Sequence, residues 1–118
     1  MTKVAIATAL VLSSPLSFAC DYPAPPKNLP DGATAPIAEM KVGVQDIAEY
    51  QSNMETYLNC IDAEEAVATM ALDEDDKEGK EQRRALFDKK YNAAVDEQTR
   101  TVEQFNAEIR EYKDRPKN

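Results

Sequence analysis

IAEMKVGVQDIAEYQSNMETYLNCI, residues 37–61, decides the fold. Ile37, Met40, Val44, Ile47, Gln51, Met54, Leu58 and Ile61 step alternately by three and four, the spacing of a helix that packs along one partner helix. A second run of this kind lies downstream at Tyr91, Val95, Gln98, Val102, Phe105, Ile109 and Tyr112. Its first step is four rather than three, so the two patterns mirror each other, as an antiparallel pair requires. The mirror sets Ile37 against Tyr112, Met40 against Ile109, Val44 against Phe105 and Ile47 against Val102. It continues with Gln51 against Gln98, Met54 against Val95 and Leu58 against Tyr91. The spacing predicts an all-α chain, a long antiparallel two-helix hairpin of the coiled-coil type. In that register Gln51 and Gln98 form a polar pair in the seam, which would hold the alignment if buried and reach water at the edge if not.

The hairpin occupies residues 37–115, with helix 1 over about 37–72, a turn over about 73–75 and helix 2 over about 76–113. Pro36 suits a first helical turn, and Thr34 is the expected cap. Asp75-x-x-Glu78 has the form of a capping box, and acidic residues crowd the positive end of helix 2. Gly79 weakens that first turn, and Arg115-Pro116 closes the helix. At 1.5 Å per residue both helices reach roughly 55 Å, so the arms match. Near the turn the apolar pattern leaves the stripe at Val67, Met70, Leu72, Leu86 and Phe87. This end splays, widens its core or meets a partner, and Val67, Met70, Leu86 and Phe87 are the candidate partner surface.

Residues 1–19 read as a Sec signal peptide: Lys3, the apolar run VAIATALVL, and Ser17-Phe18-Ala19 as the cleavage site. The apolar run is too short to span a bilayer. The rival reading is a lipoprotein signal that acylates Cys20, against which stand Ser17 three before the cysteine and bulky Phe18. Removal of residues 1–19 leaves one small domain at most. The chain has a net charge of −8 and no histidine, and loss of Lys3 makes it one unit more negative. Such a charge gives no general attraction to nucleic acid or anionic lipid.

Cys20 and Cys60 both lie in the exported part, where disulfides persist. Two cysteines allow one intramolecular bridge; a free Cys60 and an intermolecular bridge are the alternatives. Residues 20–36 carry five prolines and an Asp31-Gly32 turn signal, which predicts an extended arm. From Pro36 to Cys60 is about 36 Å of helix, and the arm extends about 50 Å, so a bridge that folds the arm back along helix 1 is within reach. Tyr50 and Tyr57 lie beside the stripe on the flank of Cys60, the expected bed for the arm. Pro23, Pro25 or Pro26 is expected over one of their rings, with the hydroxyls near solvent.

Catalytic chemistry finds no support in these residues. Without histidine there is no histidine-dependent triad or acid–base pair, and a bridged cysteine is no nucleophile. The acidic stretch 73–79 departs from a calcium loop: Lys77 takes a ligand position, Gly79 falls one place late, and Arg84 replaces the bidentate glutamate. No catalytic residue, metal or cofactor is expected.

CDYPAPP (20–26), YLNCIDAEE (57–65), YNAAVDE (91–97) and FNAEIREYK (105–113) resemble segments of small exported proteins of proteobacteria. These share a proline-rich start, paired cysteines and an FN-x-x-x-R-x-Y ending. The resemblance implies a bacterial envelope setting and two helices, and carries no functional residue over. The expectation is a non-enzymatic protein of the periplasm or exterior with a structural or adaptor role through protein contacts. Its partner is unspecified, and a homodimer is one arrangement that would enlarge a small core. The alternatives are a chaperone-like client binder, which needs an exposed apolar concavity, and a lipoprotein spacer acylated at Cys20.

Overall fold

The structure is a computed structural model describing residues 20–117, so the signal-peptide reading of 1–19 lies outside the described residues. Helix α1 spans Ile37–Met70 and helix α2 Lys77–Asp114, and the two pack as an antiparallel hairpin. Their 34 and 38 residues give lengths of about 51 and 57 Å. Among the described residues there is no strand, and no helix is long and apolar enough to cross a membrane.

The helix ends differ from the sequence expectation by small, explicable amounts. α1 stops at Met70 rather than Leu72, and the turn takes residues 71–76. Asp76, not Asp75, caps α2: its Oδ1 accepts from the Gly79 N–H at 2.9 Å. Two consecutive aspartates offer the same cap, and the sequence alone does not choose between them. At the start of α1 Pro36 takes the cap position without a side-chain bond, and Thr34 does not cap. The preceding turn is instead organised by Asp31. Its carbonyl accepts from the Thr34 and Ala35 N–H groups, and its Oδ1 from the Ala33 N–H at 2.8 Å.

The seam is rotated from the expected stripe. α1 buries Met40, Gly43, Ile47, Tyr50, Met54, Tyr57 and Ile61, again in steps of three and four. Met40, Ile47, Met54 and Ile61 belong to the expected set. Val44, Gln51 and Leu58 give way to Gly43, Tyr50 and Tyr57, one residue earlier, and Val44 is 52% exposed. In α2 the buried residues are Ala94, Thr101 and Phe105, while Val95 and Val102 are half-buried. Ile37 and Tyr91, outer members of the mirrored layers, stand exposed. The antiparallel sense holds, with Met40, Ile47 and Phe105 in one cluster and Val102, Ile109 and Tyr112 packed against it, but Phe105 meets Gly43 rather than the expected Val44.

The proline arm causes the rotation. It lies against both helices and is a third element of the core. Leu29 packs on the cluster of Met40, Ile47 and Phe105, in which Ala35 is itself buried. Gly32 donates its N–H to Glu108 Oε2 at 2.7 Å, and Arg115 donates to the Ala35 carbonyl at 2.8 Å. A pair of helices packed alone buries residues that point at each other. A pair with a third element in the groove on one side also buries the flank turned towards it. Tyr50 and Tyr57 lie on that flank.

Candidate functional site: the clamp and the open end

Two regions carry the chemistry expected of residues 20–117: the clamp where the arm meets the helices, and the end of the hairpin near the turn. In the clamp Cys20 and Cys60 form a disulfide with their Cα atoms 5.7 Å apart. Tyr22, just after the cysteine, sets its ring edge-on to Tyr57 with centroids 4.9 Å apart. The Lys90 ammonium approaches the Tyr57 ring at 5.9 Å. Tyr57 thus lies beneath the arm with the Tyr22 ring as its partner; of the prolines expected over one of the two tyrosines, Pro26 lies beside Tyr50. The Tyr22 hydroxyl donates to Glu97 of α2, so one residue of the arm ties both helices together. Its phenol is held well above the ordinary value by desolvation first, then by the hydrogen bond to Glu97 and that carboxylate's charge, with smaller pushes from Tyr50 and Tyr57.

Tyr50 borders a hollow shared with Ala24 and Pro26, so it too lies under the arm. Its hydroxyl, however, is buried rather than near solvent, and nothing meets it in hydrogen-bond geometry. Its polar neighbour Thr101 already donates to the Glu97 carbonyl at 2.9 Å. Burial raises the Tyr50 phenol above its ordinary value, and the Glu97 charge raises it further. The expectation of a wet hydroxyl fails because the ring is buried in the seam and its tip lies at Thr101 and Glu97 of α2.

Gln51 and Gln98 do not form a buried polar pair. Both line a shallow, open groove with Leu58 and Tyr91 on the side of the hairpin away from the arm, and Gln51 is exposed. No hydrogen bond joins them. The rotation that buries the tyrosine flank brings this side of the seam out to water.

Among the described residues two groups bring metal-binding atom types within 4.8 Å of one another. Cys20, Cys60 and Glu64 form one, but both sulfurs are spent in the disulfide. Asp31, Glu108 and Glu111 form the other, where Glu108 and Asp31 already accept backbone N–H groups of the turn before α1.

Towards the turn the helices are held by Ile61, with Phe87 packed against its cluster, and by Arg83, which donates to Glu65 at 2.9 Å. Beyond these the apolar residues are open. Val67 is 65% exposed, Met70 79% and Leu86 69%. Phe87 is half-buried, tilted against Tyr91 at 5.7 Å between ring centroids. The four residues singled out in the sequence do not form one patch. Leu86 and Phe87 border a hollow between the helices with Ile61, Glu65 and Arg83. Val67 belongs to an apolar groove of about 340 Å³ on another face of α1, lined also by Cys60, Ala63, Glu64, Ala68 and Ala71. Sequence reasoning passed over these alanines because they are small. The signal that would have found them is their recurrence around Val67 at helical spacing.

No protein-family model matches the chain, and no curated protein or solved structure is similar to it.

Proposed function

We propose that this is a non-enzymatic exported protein of the periplasm or cell exterior, with a structural or adaptor role through protein contacts at the turn end of the hairpin. The observation that carries this reading is the exposure of Val67, Met70 and Leu86 at the turn end, with Val67 lining an apolar groove. Large apolar groups gathered at one end of a charged, tied-back hairpin are what an interaction surface needs. The disulfide supports an oxidising compartment. It also favours the unanchored form over the spacer acylated at Cys20, because that sulfur has no valence left for a thioether. The resemblance to small exported proteins of proteobacteria adds the bacterial envelope as the setting.

Photo-crosslinking amino acids at Met70 and Leu86, compared with one at Asn106 on the opposite end, test the reading in the native envelope. Distinct protein adducts are expected from the first two positions and not from the third. Equal labelling from all three, or none from the turn end, would count against it. Intact mass tests the processing: a chain starting at Cys20 should weigh about 2 Da less than its reduced form, whereas a lipid adds several hundred.

A further inference from the structure

The groove on α1 continues a track that the arm has already used. Along α1, Asp46, Glu49 and Asn53 border the hollow beneath the arm, and Cys60 receives its end. Glu64, Val67 and Ala71 follow at steps of four, three and four, so they lie on the same side of the helix. The described arm begins at the disulfide, and among the described residues nothing covers the face beyond it towards the turn. Ala63, Ala68 and Ala71 leave room there for another backbone to come close, and Val67 stands in the middle of the floor.

Charge selects the occupant. From Val42 to Asp76 the chain carries ten carboxylates and no lysine or arginine, whereas α2 carries nine residues of each sign. The negative charge of the molecule is therefore concentrated on the helix that bears the groove and on the turn beside it. A second copy seated on this groove through its own α1 would bring like charges together along the whole contact. A helix with one apolar stripe and lysine or arginine on its flanks meets both features at once, the stripe on Val67 and the alanines, the cations beside Glu64 and the acidic turn from Asp73 to Asp76. From Cys60 to Ala71 the floor is about 16 Å long, three turns of such a helix.

We propose that the outer face of α1 from Cys60 to Ala71 is a docking groove for a basic amphipathic helix of another protein. The inference rests on the protein-contact reading above and specifies the partner's chemistry.

Three labelled synthetic peptides of equal length test it by fluorescence anisotropy on the oxidised protein. One has an apolar stripe with lysine flanks, one has glutamate for every lysine, and one has the first composition in scrambled order. Only the first should bind, and amide chemical-shift changes should centre on Ala63, Val67 and Ala71. Val67→Asp, at an exposed position that leaves the seam intact, should weaken binding at least about tenfold with unchanged helicity. Raising ionic strength from about 0.02 to about 0.3 M should weaken it several-fold. Equal binding of the glutamate peptide, shifts centred on the arm or α2, or an indifferent Val67→Asp variant would overturn the proposal. So would a Val67→Cys variant that crosslinks quantitatively into a dimer through this face. If the turn end gives protein adducts in the envelope but the lysine peptide fails to bind, this inference alone falls. If neither is seen, both fall.

Discussion

At Gly43 a β-carbon would lie 2.8 Å from the Phe105 ring on one side and 2.8 Å from Pro30 Cδ on the other. Helix and arm close on this residue from opposite directions, so its value lies in having no side chain. Alanine would gain about 1 kcal/mol in helix propensity, but overpacking between two rings costs about 1–3 kcal/mol. Gly43→Ala should therefore lose about 1 kcal/mol in urea unfolding. A more stable variant would mean that the arm yields freely. Tyr50 gives the complementary case: its buried hydroxyl has no partner, so Tyr50→Phe should cost nothing and gain up to about 1 kcal/mol. A clear loss of stability would show that the hydroxyl is satisfied after all. The two phenols raised by the clamp also set a pH dependence. Tyr22 and Tyr50 stay neutral in the folded protein above the ordinary value of 10.0, while in the unfolded chain they ionise near it. Their contribution is thus fully present below about pH 10 and is lost as pH rises above it. Ultraviolet titration of the oxidised protein should show Tyr22 and Tyr50 ionising late. Replacing Tyr22 by phenylalanine should remove one of them, and an unchanged curve would contradict the Tyr22–Glu97 bond.

Between elements, the arm is the piece whose role was least legible in advance. Two helices, their antiparallel sense and the cysteine pair could be read because apolar spacing and compartment chemistry act locally along the chain. The exact face of the seam could not. It depends on Leu29, Pro30 and Ala35 filling a groove formed only after the helices meet, and a proline-rich segment carries no periodicity to announce that. For the same reason Gly43, Ala94 and Thr101 are core residues that no apolar pattern marks. Opening the disulfide tests the arm directly. In the chain-entropy picture, a loop joining residues 40 apart stabilises the folded state by about 4 kcal/mol at most. The double variant Cys20→Ser, Cys60→Ser should lose a large part of that and expose residues 20–36 to protease, while circular dichroism still reports two helices. An arm as resistant as in the parent would show that packing alone holds it. The glutamines belong to this scale too. As rim residues on the open side, Gln51→Leu and Gln98→Leu should each change stability by less than about 0.5 kcal/mol, and the double variant should equal their sum. A coupling beyond that would restore them to a buried pair.

Taken whole, the molecule separates packing from exposure along one axis: a tied, densely packed end near residues 20–60 and an open, acidic end near the turn. That separation was half visible in the sequence. The scattered apolar residues 67–87 marked the open end, but the absence of any cation between Val42 and Asp76 was hidden inside a moderate net charge. The three-part core also imposes an order in time. Cys20 has only 40 residues of chain to close to reach Cys60, but the arm's other anchors lie much further on. Gly32 waits for Glu108, 76 residues later, and Ala35 for Arg115, 80 residues later. Because closing longer loops costs more entropy, the covalent link precedes the packing that it serves. As it folds, the first helix therefore passes through a stage in which its tyrosine flank is looped but not yet roofed by the second. The clamp is the last part of the molecule to be completed, and refolding from the oxidised chain should be faster than from the reduced chain, since one of the long searches has already been made.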